Sequence, residues 1–252
     1  MSGGAWASAD RPEIFRFECR PDMACFTKCC ANLQLVLTPY DILRLKNRLG
    51  VSSGAFLERY TKASADPTTG LPVVRLKMEA GGAHHCPFLA PAGCSVYSDR
   101  PGACRLYPLG RVAATQHENR GPRYYFQVRE PHCQGWQAKK EWTIPEWLSD
   151  QGMDKYNAMN ESFLQIGTGR PLAHLRKLGT QHLQAYYTAC YDLDEFRGFV
   201  LGSSFLERFE IAAELLPRIQ TDDTALIQLA GKWLRFSLFG ENTLTVRHPP
   251  TS

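Results

Sequence analysis

Cysteine is concentrated in the first half of this 252-residue chain. Eight of the nine cysteines lie between positions 19 and 133, and two of these eight are adjacent. They are Cys19, Cys25, Cys29, Cys30, Cys86, Cys94, Cys104 and Cys133. Ordinary disulfides do not persist in a reducing compartment, whereas deprotonated thiols there bind metals. The pattern therefore predicts a metal or iron–sulfur site with these eight residues as ligands.

The spacing of the cysteines bears on the kind of site. Structural zinc usually takes paired cysteines with about two to four residues between them. Cys25 and Cys29 fit that spacing, but the intervals that follow Cys19, Cys86 and Cys94 are too wide for it. A cubane iron–sulfur cluster is larger than one ion and accepts thiolates from dispersed loops. The spacing therefore favours an iron–sulfur cluster over a zinc ion.

The adjacent residues Cys29 and Cys30 bear on the number of centres. Neighbouring side chains point about 180° apart on a strand and about 100° apart on a helix. Two adjacent thiols therefore either face two centres or leave one thiol without a metal. Eight cysteines would fill two four-thiolate sites, and they would equally fill one such site and leave four over. The sequence leaves both possibilities open.

Other side chains near the cysteines are candidates for supporting roles. His84, His85 and His132 precede cysteines and could replace a thiolate, although solvated or hydrogen-bonded histidines are the preferred interpretation. Arg100 and Arg105 flank Cys104 and could offset the negative charge of a thiolate centre; surface solvation explains them equally well. The apolar residues expected to shield the centre from water are Phe88, Leu89, Tyr97 and Leu106. Cys190, within a helical pattern, is interpreted as a core residue.

The segments between the cysteines predict short elements that would position them. Cap signals predict a helix between 38 and 50, and a second helix runs from 52 or 53 to 60. A loop is predicted at 64–70, with strands at 71–78 and 123–129. The predicted fold class is α+β, with a cysteine-cluster core of turns, short strands and two helices before a mainly helical C-terminal region. The expected divisions are a flexible N terminus at 1–14, the metal-binding domain at 15–140 and the helical region at 141–252.

Composition excludes several classes of function. The net charge of +4, from 29 basic and 25 acidic residues, is too small to indicate a nucleic-acid partner. The chain has no signal-peptide pattern and no apolar run of about 18 residues, so we expect a soluble, cytoplasmic protein without a membrane partner. It also lacks the common catalytic motifs, so whether it is an enzyme stays uncertain. The expected partner is an unidentified protein or an electron donor or acceptor.

Several segments resemble a known family when they are taken together. They are CFTKCC, LTPYDILRLKNRLG, FLERYT, CPFL, GCSVYSDRPGACRLYPLG and HCQGW. In this order they resemble the cysteine-cluster family of zinc- or iron-chelating CxxCxxCC domains, over roughly 15–136. The resemblance implies metal chelation at Cys25, Cys29, Cys30, Cys86, Cys94 and Cys104. This chain has five residues between Cys19 and Cys25 and three between Cys25 and Cys29, where the family name describes two in each interval.

The interpretation that we adopt is a metal-chelating cysteine-cluster protein. It would bind an iron–sulfur cluster of the 4Fe–4S type and act in electron transfer or redox sensing. One alternative is a structural zinc-binding interaction module. A second is a protein lysine N-methylase-like enzyme, since a flagellin-lysine methyltransferase is similar in its cysteine cluster, although no S-adenosylmethionine loop is recognisable here.

Overall fold

The computed structural model describes residues 7–8, 14–111, 124–168 and 172–247. The strands in these ranges are β1 (Ala7–Ser8), β2 (Ile14–Arg16), β3 (Val36–Leu37), β4 (Thr61–Ala65), β5 (Pro72–Leu76), β6 (Leu89–Ala90), β7 (Gly93–Cys94), β8 (Leu109–Arg111), β9 (Tyr124–Gln127) and β10 (Glu141–Thr143). The helices are α1 (Pro39–Leu49), α2 (Ser53–Tyr60), α3 (Gly102–Leu106), α4 (Ile144–Asp150), α5 (Met153–Thr168), α6 (Leu172–Leu175), α7 (Thr180–Tyr191), α8 (Leu193–Gly202), α9 (Phe205–Arg208), α10 (Leu216–Thr221) and α11 (Asp223–Phe239). Short 3-10 helices occupy Lys28–Cys30, Tyr97–Asp99 and Gly135–Gln137. The predicted α+β fold with a helical C-terminal region is confirmed.

The bounds of α1 follow from its cap residues. The Thr38 hydroxyl accepts a hydrogen bond from the Asp41 backbone N–H, and the Asp41 carboxylate accepts one from the Thr38 N–H at 2.8 Å. This reciprocal pair satisfies amides that the first turn leaves unbonded. Gly50 ends the helix with a left-handed backbone, φ 66°, which glycine adopts without strain. The predicted first helix is confirmed, and α2 begins as predicted after the Ser52 cap.

The loop predicted at 64–70 is wrong at its start. β4 follows α2 directly and pairs with β5 from Thr61 opposite Leu76 to Ala65 opposite Pro72. β4 lies at the edge of the three-stranded sheet β3-β5-β4, and its residues after Thr61 are exposed. The Thr, Lys, Ser and Ala residues of this edge strand look like a loop in sequence, because pairing with the central strand is what orders them. The strand predicted at 71–78 is confirmed by β5.

The strands form four small antiparallel sheets within the described ranges. β1 pairs with β9, which confirms the strand predicted at 123–129, although Arg123 itself lies outside the described residues. Residues 1–6 and 9–13 of the predicted flexible N terminus also lie outside them. β10 pairs with β2 across the predicted boundary at 140, and buried side chains form one cluster that extends to both sides of it. The division into domains stays a prediction.

A buried charge network joins the first two helices to the C-terminal helices. Lys46 of α1 is 5% exposed, and its Nζ lies 2.8 Å from Asp223 Oδ2 and 3.5 Å from Asp194 Oδ1. Arg197 contacts both carboxylates, and the Ser53 N–H donates to Asp194 at 2.6 Å. Each buried charge is therefore paired, as burial requires. None of the described helices has the length and apolar character that crossing a bilayer requires.

Candidate metal centre

All nine cysteines lie in the described ranges, and each is a free thiol. The eight clustered residues are carried by turns, by β7, by α3 and by the 3-10 helix Lys28–Cys30. Cys25 is buried, Cys19 is exposed, and the other six are partly exposed. Cys190 of α7 is fully buried in the helical core, which agrees with its interpretation as a core residue. Two groups of thiols can be distinguished by the backbone that holds them.

The first group consists of Cys19, Cys25 and Cys133. The Cys25 Sγ accepts a hydrogen bond from the Gln134 N–H at 3.3 Å, which places Cys25 beside the Cys133 loop. The Glu18 N–H donates to the Gly135 carbonyl at 3.1 Å, so the segment before Cys19 lies against the same loop. Burial raises the pKa of Cys19 to about 11, and the thiols of Cys29, Cys25 and Cys133 act in the same direction. These three thiols are therefore electrostatic neighbours.

The second group consists of Cys86, Cys94 and Cys104. The Cys86 N–H donates to the Cys30 carbonyl at 2.8 Å, and the Cys86 carbonyl accepts from the Leu89 N–H at 3.0 Å. Leu89 pairs with Cys94 in the β6–β7 hairpin, so Cys86 and Cys94 are held at its base. Burial raises the pKa of Cys104 to about 12, with further contributions from Cys86, Asp41, Cys29 and Cys94.

Asp41 fixes the helix that carries Cys104. Its carboxylate is 1% exposed, and Oδ1 accepts a hydrogen bond from the Gly102 N–H at 2.8 Å, at the start of α3. Burial raises the pKa of Asp41, while the hydrogen bonds from Gly102 and Thr38 oppose that shift. A residue of the α1 capping pair thus also positions a candidate ligand, a role that its sequence position does not indicate.

Cys29 is an electrostatic neighbour of both groups. A hydrogen bond with the Cys30 thiol raises the pKa of Cys29 most, followed by burial and the charge of Glu130. The Cys29 thiol in turn raises the pKa of Cys86 and Cys94, although burial is the largest cause for each. The 3-10 helix Lys28–Cys30 is therefore close to thiols of both groups.

The two predicted arginines differ in what they contact. Burial lowers the pKa of Arg100, while Cys104 and Cys94 act in the opposite direction, so this guanidinium faces the thiols. It also stacks over the Tyr97 ring at 3.9 Å. The Arg105 guanidinium instead donates to the Gln151 carbonyl at 2.9 Å and lies over the Tyr156 ring. Arg105 therefore joins α3 to the helical region rather than facing the thiols.

The residues predicted to shield the centre from water differ in their exposure. Phe88 and Leu106 are buried, at 4% and 6% exposure, and Leu89 is partly buried. Tyr97 is 62% exposed, so the expectation that it shields the site is wrong. It lies in the 3-10 helix Tyr97–Asp99, and the Arg100 guanidinium stacks on its exposed ring.

The histidines next to cysteines have different surroundings. His84 and His85 are exposed, and the His84 Nδ1 lies 3.3 Å from the Glu79 carbonyl oxygen, which agrees with the preferred interpretation. The His132 Nε2 is a buried atom 3.4 Å from Glu130 Oε2, and neither atom has a hydrogen-bond partner in the described part of the chain. Glu130 was not singled out from the sequence, where no motif connects it to Cys29.

These residues fit a thiolate-liganded metal or cluster. All eight clustered thiols are free, and several are close enough to raise one another's pKa values. The buried His132 Nε2 and Glu130 Oε2 atoms beside Cys133 have no hydrogen-bond partner among the described residues. Within the described ranges, no three Cys, His, Asp or Glu side chains already have the mutual arrangement of bound ligands. The raised pKa values mean that a metal would have to displace protons from the thiols. Binding would therefore bring together side chains whose backbones are already close.

Comparison with known proteins identifies the cysteine region. Residues 18–134 match the family CxxCxxCC, described as "Putative zinc- or iron-chelating domain". The match includes all eight clustered cysteines and ends just before the 3-10 helix Gly135–Gln137. No curated protein and no solved structure matches the chain. The resemblance read from the sequence is thus confirmed, and the family supports zinc or iron chelation by the cysteine cluster.

Proposed function

Because residues 18–134 match the zinc- or iron-chelating CxxCxxCC family, we propose that the protein binds an iron–sulfur cluster of the 4Fe–4S type. The associated task is electron transfer or redox sensing, with an electron donor or acceptor protein as partner. A bound cluster supplies one-electron oxidation and reduction. The observation that carries the proposal is that eight free thiols lie within the matched residues, several of them close enough to raise one another's pKa values.

The surroundings of the thiols support a cluster that exchanges electrons. Phe88 and Leu106 are buried apolar side chains that would exclude water on one side. Arg100 faces Cys94 and Cys104 and would offset the charge of a thiolate centre, which raises its reduction potential. The exposed Cys19 leaves the other side within reach of a partner. We expect this chemistry in a reducing compartment such as the cytoplasm.

A structural zinc site is the second candidate, and the Cys133 loop supplies the observation that favours it. Zinc accepts sulfur, nitrogen and oxygen ligands. The His132 Nε2 and Glu130 Oε2 atoms are buried beside this loop without a hydrogen-bond partner among the described residues. In that case the domain would be an interaction module that holds zinc, is stable in air and unfolds on chelation.

Metal and sulfide analysis of anaerobically purified protein tests the proposal. We expect iron, acid-labile sulfide and a broad visible absorbance that Cys94→Ser and Cys104→Ser reduce. Cys190→Ala is the matched control, because this thiol lies in the helical core and its loss should leave the absorbance unchanged. Zinc without acid-labile sulfide would favour the structural zinc site over the iron–sulfur cluster. Protein that takes up neither iron nor zinc would overturn both proposed functions.

A further inference from the structure

We propose that a cavity between α1, α5 and the start of α11 is a binding site for a phosphate group. The cavity has a volume of about 320 Å³, and the described residues that line it include no cysteine. It therefore does not use the thiols of the candidate metal centre. The inference goes beyond the proposed function, because metal chelation by the thiols does not require a second site here.

One face of α1 forms most of the wall. Its lining residues recur at intervals of three and four positions, which places them on the same side of a helix. They are Tyr40, Leu43, Arg44, Asn47 and Arg48. Lys155, in the first turn of α5, and Thr224, in the first turn of α11, line the cavity from the neighbouring helices. Asp99 of the 3-10 helix Tyr97–Asp99 completes the described wall.

The lining side chains give the cavity an excess of positive charge. Arg44, Arg48 and Lys155 are cationic. Asp99 is the one carboxylate among the described lining residues, so the net charge is +2. Lys155 is exposed and has no ion-pair partner in the described part of the chain. A phosphate monoester carries a charge of about −1.5 to −2 at pH 7, which matches this excess.

Hydrogen-bond donors are in excess as well. Asp99 forms an ion pair with Arg44, and its Oδ2 lies 4.0 Å from Arg48 Nε. Each guanidinium has five N–H donors and the lysine ammonium has three, so one carboxylate leaves most of them for a ligand. A phosphate group presents three strong acceptor oxygens. The donors of the two arginines and of Lys155 are therefore suited to it.

The ends of α5 and α11 favour the same ligand charge. These helices have 16 and 17 residues, and the N terminus of a helix carries partial positive charge. Asp222 already accepts a hydrogen bond from the Thr224 N–H at 2.7 Å, so this amide is not free for a ligand. The side chains of α1 and α5 must therefore make the direct contacts.

The size and the inner wall of the cavity bear on what carries the phosphate. Tyr40 and Leu43 are 1% and 4% exposed, so buried side chains close the cavity beside the arginines. Small-molecule sites have volumes of about 300–1,000 Å³, and this cavity lies at the lower end of that range. Free phosphate and the phosphate of a small organic monoester would meet the same three cations.

Isothermal titration calorimetry of full-length, anaerobically purified protein tests the site with two probes, inorganic phosphate and phenyl phosphate, at constant ionic strength. We expect saturable binding at one site per chain. Lys155→Gln should weaken it about tenfold, because one charge-assisted contact is lost. Asp99→Asn should strengthen it about fivefold, because the carboxylate that repels the ligand is removed. Lys62→Gln is the matched control, since Lys62 is exposed on β4 and does not line the cavity.

The two probes distinguish the sources of the phosphate group. Tighter binding of phenyl phosphate would assign the site to an organic phosphate, and equal or tighter binding of inorganic phosphate would assign it to the free ion. Absence of saturable heat with both probes would overturn the site. Equal affinities in wild type, Lys155→Gln and Asp99→Asn would also overturn it, because binding would then lie elsewhere.

The variants also separate this inference from the proposed function. Lys155 is exposed, so Lys155→Gln should keep the wild-type helical circular dichroism and decides the test even if Asp99→Asn does not fold. All three variants keep the clustered cysteines, so phosphate bound to a metal would not distinguish them. Metal content should be the same in wild type and Lys155→Gln, and failure of the phosphate site would leave metal binding intact.

Discussion

The cysteine region and the helical region are built in different ways. Between residues 14 and 140 the described strands are two to five residues long, and the candidate ligands lie mostly on turns. In the helical region α5 and α11 have 16 and 17 residues, and eight residues of α11 are buried. Cysteine itself illustrates this difference between the regions. Cys190, in the helical region, is a fully buried core residue. We therefore expect the cysteine region, with its many partly exposed thiols and short strands, to gain part of its stability from a bound centre.

The two regions nevertheless share one hydrophobic core. The buried charge network around Lys46, called the junction below, also connects them. Phe17 packs against Trp136 and Trp147 at ring distances of 5.5 and 5.7 Å. Lys46 is bonded to carboxylates at the starts of α8 and α11. The comparison therefore predicts effects of decreasing size. Metal removal should loosen the cysteine region, and substitution of Lys46 should destabilise both regions. Substitution of a residue that makes a single local contact should affect only one region.

Removal of the metal should give the largest effect. Structural zinc in small domains binds with an apparent free energy of about 10–16 kcal/mol, all of it coupled to folding. Anaerobic chelation should therefore increase amide hydrogen exchange strongly at 25–34 and 84–104. Exchange in α11 should stay slow, because its apolar residues are buried in the helical core. Mass spectrometry of peptides measures both segments in one sample.

A metal-free variant provides the control for chelation. The double variant Cys25→Ser/Cys94→Ser removes one thiol from each group, so it should show the same fast exchange before any chelator is added. Equal protection of 84–104 with and without bound metal would contradict the proposed dependence of this region on its centre.

Lys46→Ala should destabilise both regions together. Removing one partner of a buried ion pair typically costs about 3–5 kcal/mol, because the remaining charges stay buried. Burial alone would raise the pKa of Asp223, but bonds from Lys46 and Arg197 lower it below the usual 3.8. A carboxylate with a lowered pKa stabilises the fold above about pH 4 and loses this contribution as the pH falls through its folded pKa. The difference between wild type and variant should therefore shrink in acid.

Urea unfolding at pH 7 and below pH 4 measures this effect. Arg48→Ala is the matched control on the same helix, since its side chain is 53% exposed. An exposed pair contributes about 0–1 kcal/mol, so this variant should be close to wild type. Equal losses for Lys46→Ala and Arg48→Ala would show that the junction is not the link between the regions.

Gly135→Ala should affect the first thiol group selectively. The new Cβ would lie 2.5 Å from the Phe17 ring and 2.8 Å from the Glu18 carbonyl oxygen, so the Cys133 loop must move. Overpacking of this kind costs about 1–3 kcal/mol. We expect lower metal content and a lower melting temperature. Gly82→Ala, where no atom lies within 4 Å of the added Cβ, should change neither quantity.

The sequence predicted those features that depend on neighbouring residues. Thr38, Pro39 and Gly50 mark the ends of α1 because capping is decided within one helical turn. β4 was not recognised, because its exposed polar residues become a strand through pairing with β5. Local signals therefore predicted the helices better than the edges of the sheets.

The candidate site was predictable in its residue types and less so in its arrangement. The cysteines were identified by number and spacing, but the closeness of Cys25 to Gln134 depends on contacts between distant segments. Glu130 lacked any local signal, and Arg105 next to Cys104 was expected at the thiols but contacts Gln151. Side-chain direction at such positions is decided by packing against the helical region, which spacing along the chain does not report.

Loss of the Thr38 cap should give the smallest effect on stability, with a specific consequence for Cys104. Replacement of an N-cap threonine by alanine costs about 1 kcal/mol. Thr38→Ala also frees the Asp41 backbone N–H, and the Asp41 carboxylate holds the Gly102 N–H at 2.8 Å. We expect faster labelling of Cys104 by a thiol reagent in metal-free protein, measured by mass spectrometry.

Thr143→Ala is the matched variant in the helical region. Thr143 and Glu146 form the same reciprocal cap at the start of α4, and the hydrogen bonds described for Glu146 are those to Thr143. This variant should also lose about 1 kcal/mol in urea unfolding, because the lost cap is the same. Its Cys104 labelling rate should equal that of wild type. Equal acceleration in both variants would mean that labelling reports global opening, and that Asp41 does not position α3.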